Sequence, residues 1–210
     1  MADDQRTIPG FLDALASDAP APGGGAAAAL AGALAAACAE MVARFTAGRP
    51  KFAAVGQTVR DAIADLVAAR AALLALVEAD AAAFATVSAA YRLPRLSEEE
   101  HAAREAAIQA ALHTAMEPPL AVMRQTCDVL TIAETLAGVG NPTVASDAAC
   151  AALLGEGAVR AAAVNVLANV ALLRDEAAAG EARQAITQLE ERAGALRERT
   201  MAAFHARLKG

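Results

Sequence analysis

Apolar and polar positions along the chain repeat at helical spacing, and no stretch alternates as a half-buried strand would. Alternating steps of four and three from Val59 pick out Val59, Ile63, Leu66, Arg70, Leu73, Val77, Asp80, Phe84, Val87 and Tyr91. Eight of these ten positions are apolar or aromatic, which predicts one long helix packed along a seam, from Phe52 or Gln57 to Tyr91. Punctuation places the other helices. A first spans Gln5 to Ser17. A second starts within the glycines Gly23, Gly24 and Gly25 and ends near "TAGRP", where Gly48 caps and Pro50 breaks. Pro94 ends the third, and Ser97 with Glu100 forms a capping box for a fourth. The fourth reaches Met116, is bent or interrupted by Pro118 and Pro119, and resumes to Leu136. A fifth starts at Thr143 after the turn "AGVGNP", breaks at Gly155–Gly157 and continues to Leu173. The last covers Asp175 to Leu208. The pattern predicts an all-α, up-and-down bundle of about six helices in a single domain over residues 1–210.

Within the second helix, Gly24, Ala28, Gly32 and Ala36 recur every four residues. They form a strip nearly free of side chains, onto which another backbone can pack closely. The partner is a helix of this chain or of a second copy. The triple glycine at the helix start raises a second possibility, since free N–H groups and the helix dipole there attract anions.

Composition bears on the same point. Apolar residues make up 57% of the chain but aromatics only 3%, so the core is mostly alanine and its helices must lie close together. The charge of -6 disfavours nucleic acid as a partner. Cys38, Cys127 and Cys150 are odd in number and sit in apolar stretches, which fits reduced, buried thiols in a cytosolic protein. The start "MADDQRTIPG" lacks a basic segment, so no secretory leader is expected. The most membrane-like run, Ala26 to Ala39, is 14 residues, short of the ~20 needed to span. The expectation is a soluble, cytoplasmic protein with no membrane partner.

Two seam positions are charged. Arg70 and Asp80 lie ten residues apart, about 15 Å along a helix, and cannot pair with each other. A buried carboxylate is costly alone, so Asp80 requires an internal salt bridge, several donors or a ligand. Asp147, near the start of a helix, is either a plain dipole-complementing cap or an acid in a site. Asn165 and Asn169 share one helix face and either tether the core or bind a ligand. Asn141 stands at the preceding turn. Arg49 and Lys51 follow a helix end, where a solvated basic turn is the simpler reading. His101, His113 and His205 have no metal-like spacing, and no metal site is expected.

Taken together, "PAPGGGAAAALAGALAAACAEMV", "TAGRPKF", "LVEADAAAFATVSAAYRLP", "GNPTVASDAACAALL" and "NVLANV" resemble, in order and spacing, the formiminotransferase-cyclodeaminase family. The likeness is to its cyclodeaminase domain and to its free-standing bacterial methenyltetrahydrofolate cyclohydrolases, over essentially the whole chain. It implies a helical homodimer with folate sites near the subunit interface and no prosthetic group, the tetrahydrofolate derivative being the substrate. It implies hydrolysis of 5,10-methenyltetrahydrofolate to 10-formyltetrahydrofolate or, alternatively, cyclodeamination of formiminotetrahydrofolate with loss of ammonia. No attached formiminotransferase domain is in the sequence, which favours the first. A non-catalytic folate-binding or interaction bundle is the remaining alternative. In this reading Asp147 is the leading acid/base and Asp80 the second or an orienter. Asn165 and Asn169 bind the pterin edge, with Asn141 also at the substrate. The N–H groups of Gly23, Gly24 and Gly25, with Arg49 and Lys51, meet the glutamate-tail carboxylates. Three residues depart from the family pattern. Ala26 replaces a small hydroxyl residue, and Pro50 and Phe52 alter the usual "GKKKY"-like basic stretch.

Overall fold

Local capping chemistry sets where the helices start. Thr7 accepts from the Gly10 amide and begins α1 (Ile8–Leu15). Ser97 and Glu100 form the reciprocal capping box that begins α4 (Glu98–Ala115). Asp175 accepts from Ala177 and Ala178 and begins α7 (Glu176–Arg207). Between these lie α2 (Gly24–Thr46), α3 (Gly56–Tyr91), α5 (Glu117–Val139) and α6 (Ala145–Val170). The computed structural model describes residues 7–208, and among them there is no strand. The expected start of the first helix at Gln5 lies outside the described residues.

The chain runs up α2, down α3, up α4 and α5, down α6 and up α7. The predicted fourth helix is two helices meeting at Met116, with prolines only in the first turn of α5, where a missing N–H costs nothing. An expectation that fails is the break at Gly155–Gly157, where α6 continues without interruption. A Cβ on Gly155 would stand 2.7 Å from Leu130 Cδ2 of α5. The residue is small for a helix crossing, and tight packing offsets the modest helix penalty of glycine.

The small-residue strip of α2 packs inside the chain. A Cβ on Gly32 would lie 2.7 Å from Thr126 Oγ1 of α5 and 3.1 Å from Leu73 Cδ2 of α3. The N-terminal half of the α3 seam is likewise core, with Val59, Leu66 and Leu73 fully buried. Arg70 donates to the buried Glu40 of α2, which also pairs with Arg44. The C-terminal half departs from the expectation of continuous packing, because Phe84 and Tyr91 are 46% and 43% exposed beside a cavity.

Helices α2 and α6 run antiparallel. Gly24 lies against Asn165 at one end, and Thr46 Oγ1 accepts from the Asn141 amide at the other. That register sets Leu34 opposite Leu154 and Cys38 opposite Cys150. The outer face of the pair is apolar and open, with Leu34, Met41 and Phe45 on α2 and Leu153, Leu154, Val164 and Leu167 on α6. Both α2 and the segment Pro142–Val170 are long and apolar enough to cross a membrane by length and composition, 61% and 44% buried respectively. The 14-residue run expected from sequence is thus part of a 23-residue helix. Its inward side is the centre of the bundle. Of the three free thiols only Cys127 is buried, and burial pushes it up to about 11. Cys38 is half-buried and Cys150 exposed, against the expectation that all three lie inside.

Thr126 Oγ1 is buried with no hydrogen-bond partner among the described residues. Gly32→Ala should therefore cost about 1–2 kcal/mol, overpacking outweighing the gain in helix propensity. Thr126→Val should be neutral or stabilising by up to about 1 kcal/mol, since no bond is lost. Urea unfolding of both variants checks this, and equal losses would contradict it.

Candidate active site

Helix α3 has 36 residues and α2 only 23. The two are antiparallel, so the last three turns of α3 overshoot the head of α2. The chain fills part of that space with the turn Pro20–Gly23, whose Ala21–Pro22 peptide is cis. The rest is a cavity of about 630 Å³, walled by α3, the end of α4 and the end of α6. Among its lining residues are Gly23, Gly24, Gly25, Asp80, Asn165 and Asn169.

Asp80 stands where the head of α2 opens into the cavity. Its carboxylate accepts a hydrogen bond from the Ala26 backbone N–H, serving α2 as a cap from another helix, since Gly23 provides no side-chain cap. A Cβ on Gly25 would overlap the Asp80 carboxylate, and one on Gly24 would touch the Asn165 amide at 3.4 Å. The glycines therefore admit protein groups to the helix head. Burial pushes the Asp80 pKa above the ordinary carboxylate value, and the Ala26 hydrogen bond opposes that only in part. No cation pairs with Asp80 among the described residues, so the internal salt bridge considered from sequence is not formed.

The two amides sit opposite. Asn165 Nδ2 donates to Ala161 O at 2.9 Å. Asn169 Nδ2 donates to Ala115 O at 3.1 Å and Asn165 O at 3.2 Å, tying α6 to the end of α4. Both are tethered within the fold and both line the cavity.

The remaining candidates lie elsewhere. Asp147 is 18 residues from Asn165 on α6, about 27 Å along the axis. It is half-buried at the head of α6 and close enough to the Cys38 thiol to raise its pKa, behind burial and Cys150. Asn141 is 5% exposed and its groups are engaged: N with Thr46 Oγ1, Nδ2 with Phe45 O, Oδ1 with the Thr143 amide. Arg49 and Lys51 lie beyond the far end of α2, stacked over Phe45 and Phe52 at 5.9 and 5.8 Å. One protomer thus joins Asp80, Asn165, Asn169 and the glycine turn. It leaves Asp147, Asn141, Arg49 and Lys51 at the opposite end. Sequence reasoning missed the aromatic side of the cavity, Phe84 and Tyr91, because seam spacing looks the same whether a helix or a cavity lies alongside.

Among the described residues, no group of three or more His, Cys, Asp or Glu is placed to hold a metal ion. A model of the formiminotransferase-cyclodeaminase family matches residues 7–188. The chain is 43% identical over 194 residues to a methenyltetrahydrofolate cyclohydrolase of Methylorubrum extorquens, covering 92% of this chain and 93% of the relative. It is 37% identical to mouse formimidoyltransferase-cyclodeaminase over 81% of this chain, which corresponds to 31% of that longer protein. A crystal structure of formiminotetrahydrofolate cyclodeaminase from Thermotoga maritima superposes with a TM-score of 0.86 at 31% identity, covering 95% of this chain and 96% of that one.

Carboxyl resonances titrated by NMR should place Asp80 above the value of about 3.9 of a free aspartate. Gly25→Ala, which pushes the carboxylate out toward water, should return it toward that value. An Asp80 titration unchanged by Gly25→Ala would show that the close approach does not set it.

Proposed function

The chain belongs to the formiminotransferase-cyclodeaminase family, and we propose that it is a methenyltetrahydrofolate cyclohydrolase with Asp80 as its acid/base. The observation that carries this is a partly desolvated carboxylate, unpaired with any cation among the described residues, facing a cavity beside two amides. The carbon bridging N5 and N10 of 5,10-methenyltetrahydrofolate is cationic and is attracted to that carboxylate. Water attacks the carbon, and Asp80 takes one of its protons. On collapse the remaining hydroxyl proton leaves to solvent, the C=O forms and the N5–C bond breaks. Asp80 returns its proton to N5, giving 10-formyltetrahydrofolate and one net proton. Asn165 and Asn169 meet the polar edge of the pterin. The substrate is a small molecule, the reaction uses no prosthetic group, and the protein works in the cytoplasm.

The likeness to the Thermotoga cyclodeaminase supports a second reading. The same carboxylate would then stabilise the cation that develops as ammonia leaves formiminotetrahydrofolate. Loss of methenyl absorbance on mixing supports hydrolysis. Appearance of methenyl absorbance with ammonia from the formimino compound supports deamination. Binding with neither change would leave a non-catalytic folate-binding bundle.

Asp80→Asn keeps an oxygen for the Ala26 N–H and should lower kcat by 10²-fold or more. Asp147, the leading acid from sequence, is too distant to act in the same cavity of one protomer and reaches a cavity only across a subunit interface. The base form is the carboxylate, and a raised pKa keeps Asp80 protonated to higher pH. Activity should therefore fall as pH drops through a value above about 3.9. Near-wild-type kcat in Asp80→Asn would refute the assignment.

The open apolar face of α2 and α6 supports a homodimer formed by helix packing. A two-fold axis across the middle of this antiparallel pair brings the far end of one copy toward the cavity end of the other. Asp147, Arg49 and Lys51 then approach the cavity of a second copy, placing the folate site near the subunit interface. Light scattering should give twice the chain mass, and Met41→Glu with Leu153→Glu should shift it toward the single-chain mass. A wild-type monomer at micromolar concentration would exclude this arrangement.

A further inference from the structure

The cavity is electrically polar along α3. Asp80, Phe84, Ser88 and Arg92 recur every four residues and all line it. They form one helical row about 18 Å long, with a carboxylate at one end and a guanidinium at the other.

Arg92 is the one cation lining the cavity among the described residues. Arg44, Arg70, Arg160, Arg174, Arg192, Arg197 and Arg199 are each paired with a carboxylate. Arg92 has no such partner among the described residues. Its base is held firmly. Arg104 of α4 donates from Nε and Nη2 to Tyr91 O at 3.3 and 3.1 Å, and its guanidinium stacks on the Tyr91 ring at 5.6 Å. A free guanidinium thus leaves a helix end that is tied down on its other side.

We infer that Arg92 binds the anionic end of a ligand whose cationic centre rests at Asp80 and whose aromatic middle lies along Phe84 and Tyr91. The inference rests on the functional reading above and deepens it by giving the substrate a direction. A methenylfolate has this order of groups: cationic carbon, arene, then the carboxylates of a glutamate tail. The glycine turn is a poor place for that tail. Asp80 already occupies the Ala26 N–H at the head of α2, and a second carboxylate there would be repelled. Arg49 and Lys51 lie beyond the other end of α2, about 35 Å away in the same protomer, so only those of a second copy compete with Arg92 for the tail.

The test compares 5,10-methenyltetrahydrofolate with the corresponding methenyltetrahydropteroate, which lacks the glutamate. Arg92→Gln should raise KM about tenfold for the first, the loss expected of a charged hydrogen-bond partner, with kcat within twofold. For the second, wild-type KM should already be high and Arg92→Gln should add nothing. Arg92→Lys should recover most of the affinity. The double variant Arg49→Gln, Lys51→Gln should keep the difference between the two substrates. Circular dichroism confirms folding of each variant. Equal effects of Arg92→Gln on both substrates, or tail dependence lost in the Arg49, Lys51 variant instead, would overturn the assignment of Arg92 alone. Absence of wild-type turnover on either substrate would overturn the cyclohydrolase reading and this inference with it.

Discussion

Contact between the Asp80 carboxylate and the head of α2 shapes the cavity end of this fold. It requires residue 25 to lack a side chain, because any Cβ there would occupy the space of the carboxylate. It also requires α3 to pass within hydrogen-bonding distance of the Ala26 amide. Together these hold an acid partly out of water, with one N–H and a helix dipole as its protein support. The single hydrogen bond offsets part of the desolvation and leaves the group a stronger base than a solvated aspartate. An arginine at the same place would neutralise it.

Close approach recurs through the bundle for a different purpose. Gly32 and Gly155 bring α5 against α2 and α6, with Thr126 near both. Alanine fills the remaining contacts of α2, where Ala28, Ala29, Ala35, Ala36 and Ala39 are all fully buried. Little area per side chain is removed from water, and backbone proximity makes up for it with dense packing. Such a core tolerates enlargement poorly. Thr126, a buried hydroxyl without a partner among the described residues, sits between Gly32 and Gly155.

Fold class, helix order and most helix ends could be seen from the sequence, because capping residues and spacing act locally. Ser97 with Glu100 and Asp175 each cap a helix within a residue or two of where they were expected. The failures have a common cause. Glycines at 155 and 157 looked like a break because local propensity ignores a partner such as Leu130. The α3 seam looked continuous because spacing does not reveal where a neighbouring helix ends. For the site, Asp80, Asn165, Asn169 and the glycines converge, while Asp147, Arg49, Lys51 and Asn141 gather at the far end. Nearness in three dimensions depends on helix register and relative length, and neither is carried by a short motif. Asn141 also shows that an amide suited to binding can be fully engaged in joining a turn to a neighbouring helix end.

The overshoot of α3 past α2 has an evolutionary corollary. The buried centre near Gly32 and Thr126 is indifferent to how far the tips of α3 and α4 project, since the connection around residues 92–97 is largely solvated. Inserting or deleting one turn in both tips would deepen or shorten the recess by about 5.4 Å without disturbing that centre. Descendants of this architecture can therefore adapt to longer or shorter molecules by trimming a helical hairpin, while the acid at its floor stays put.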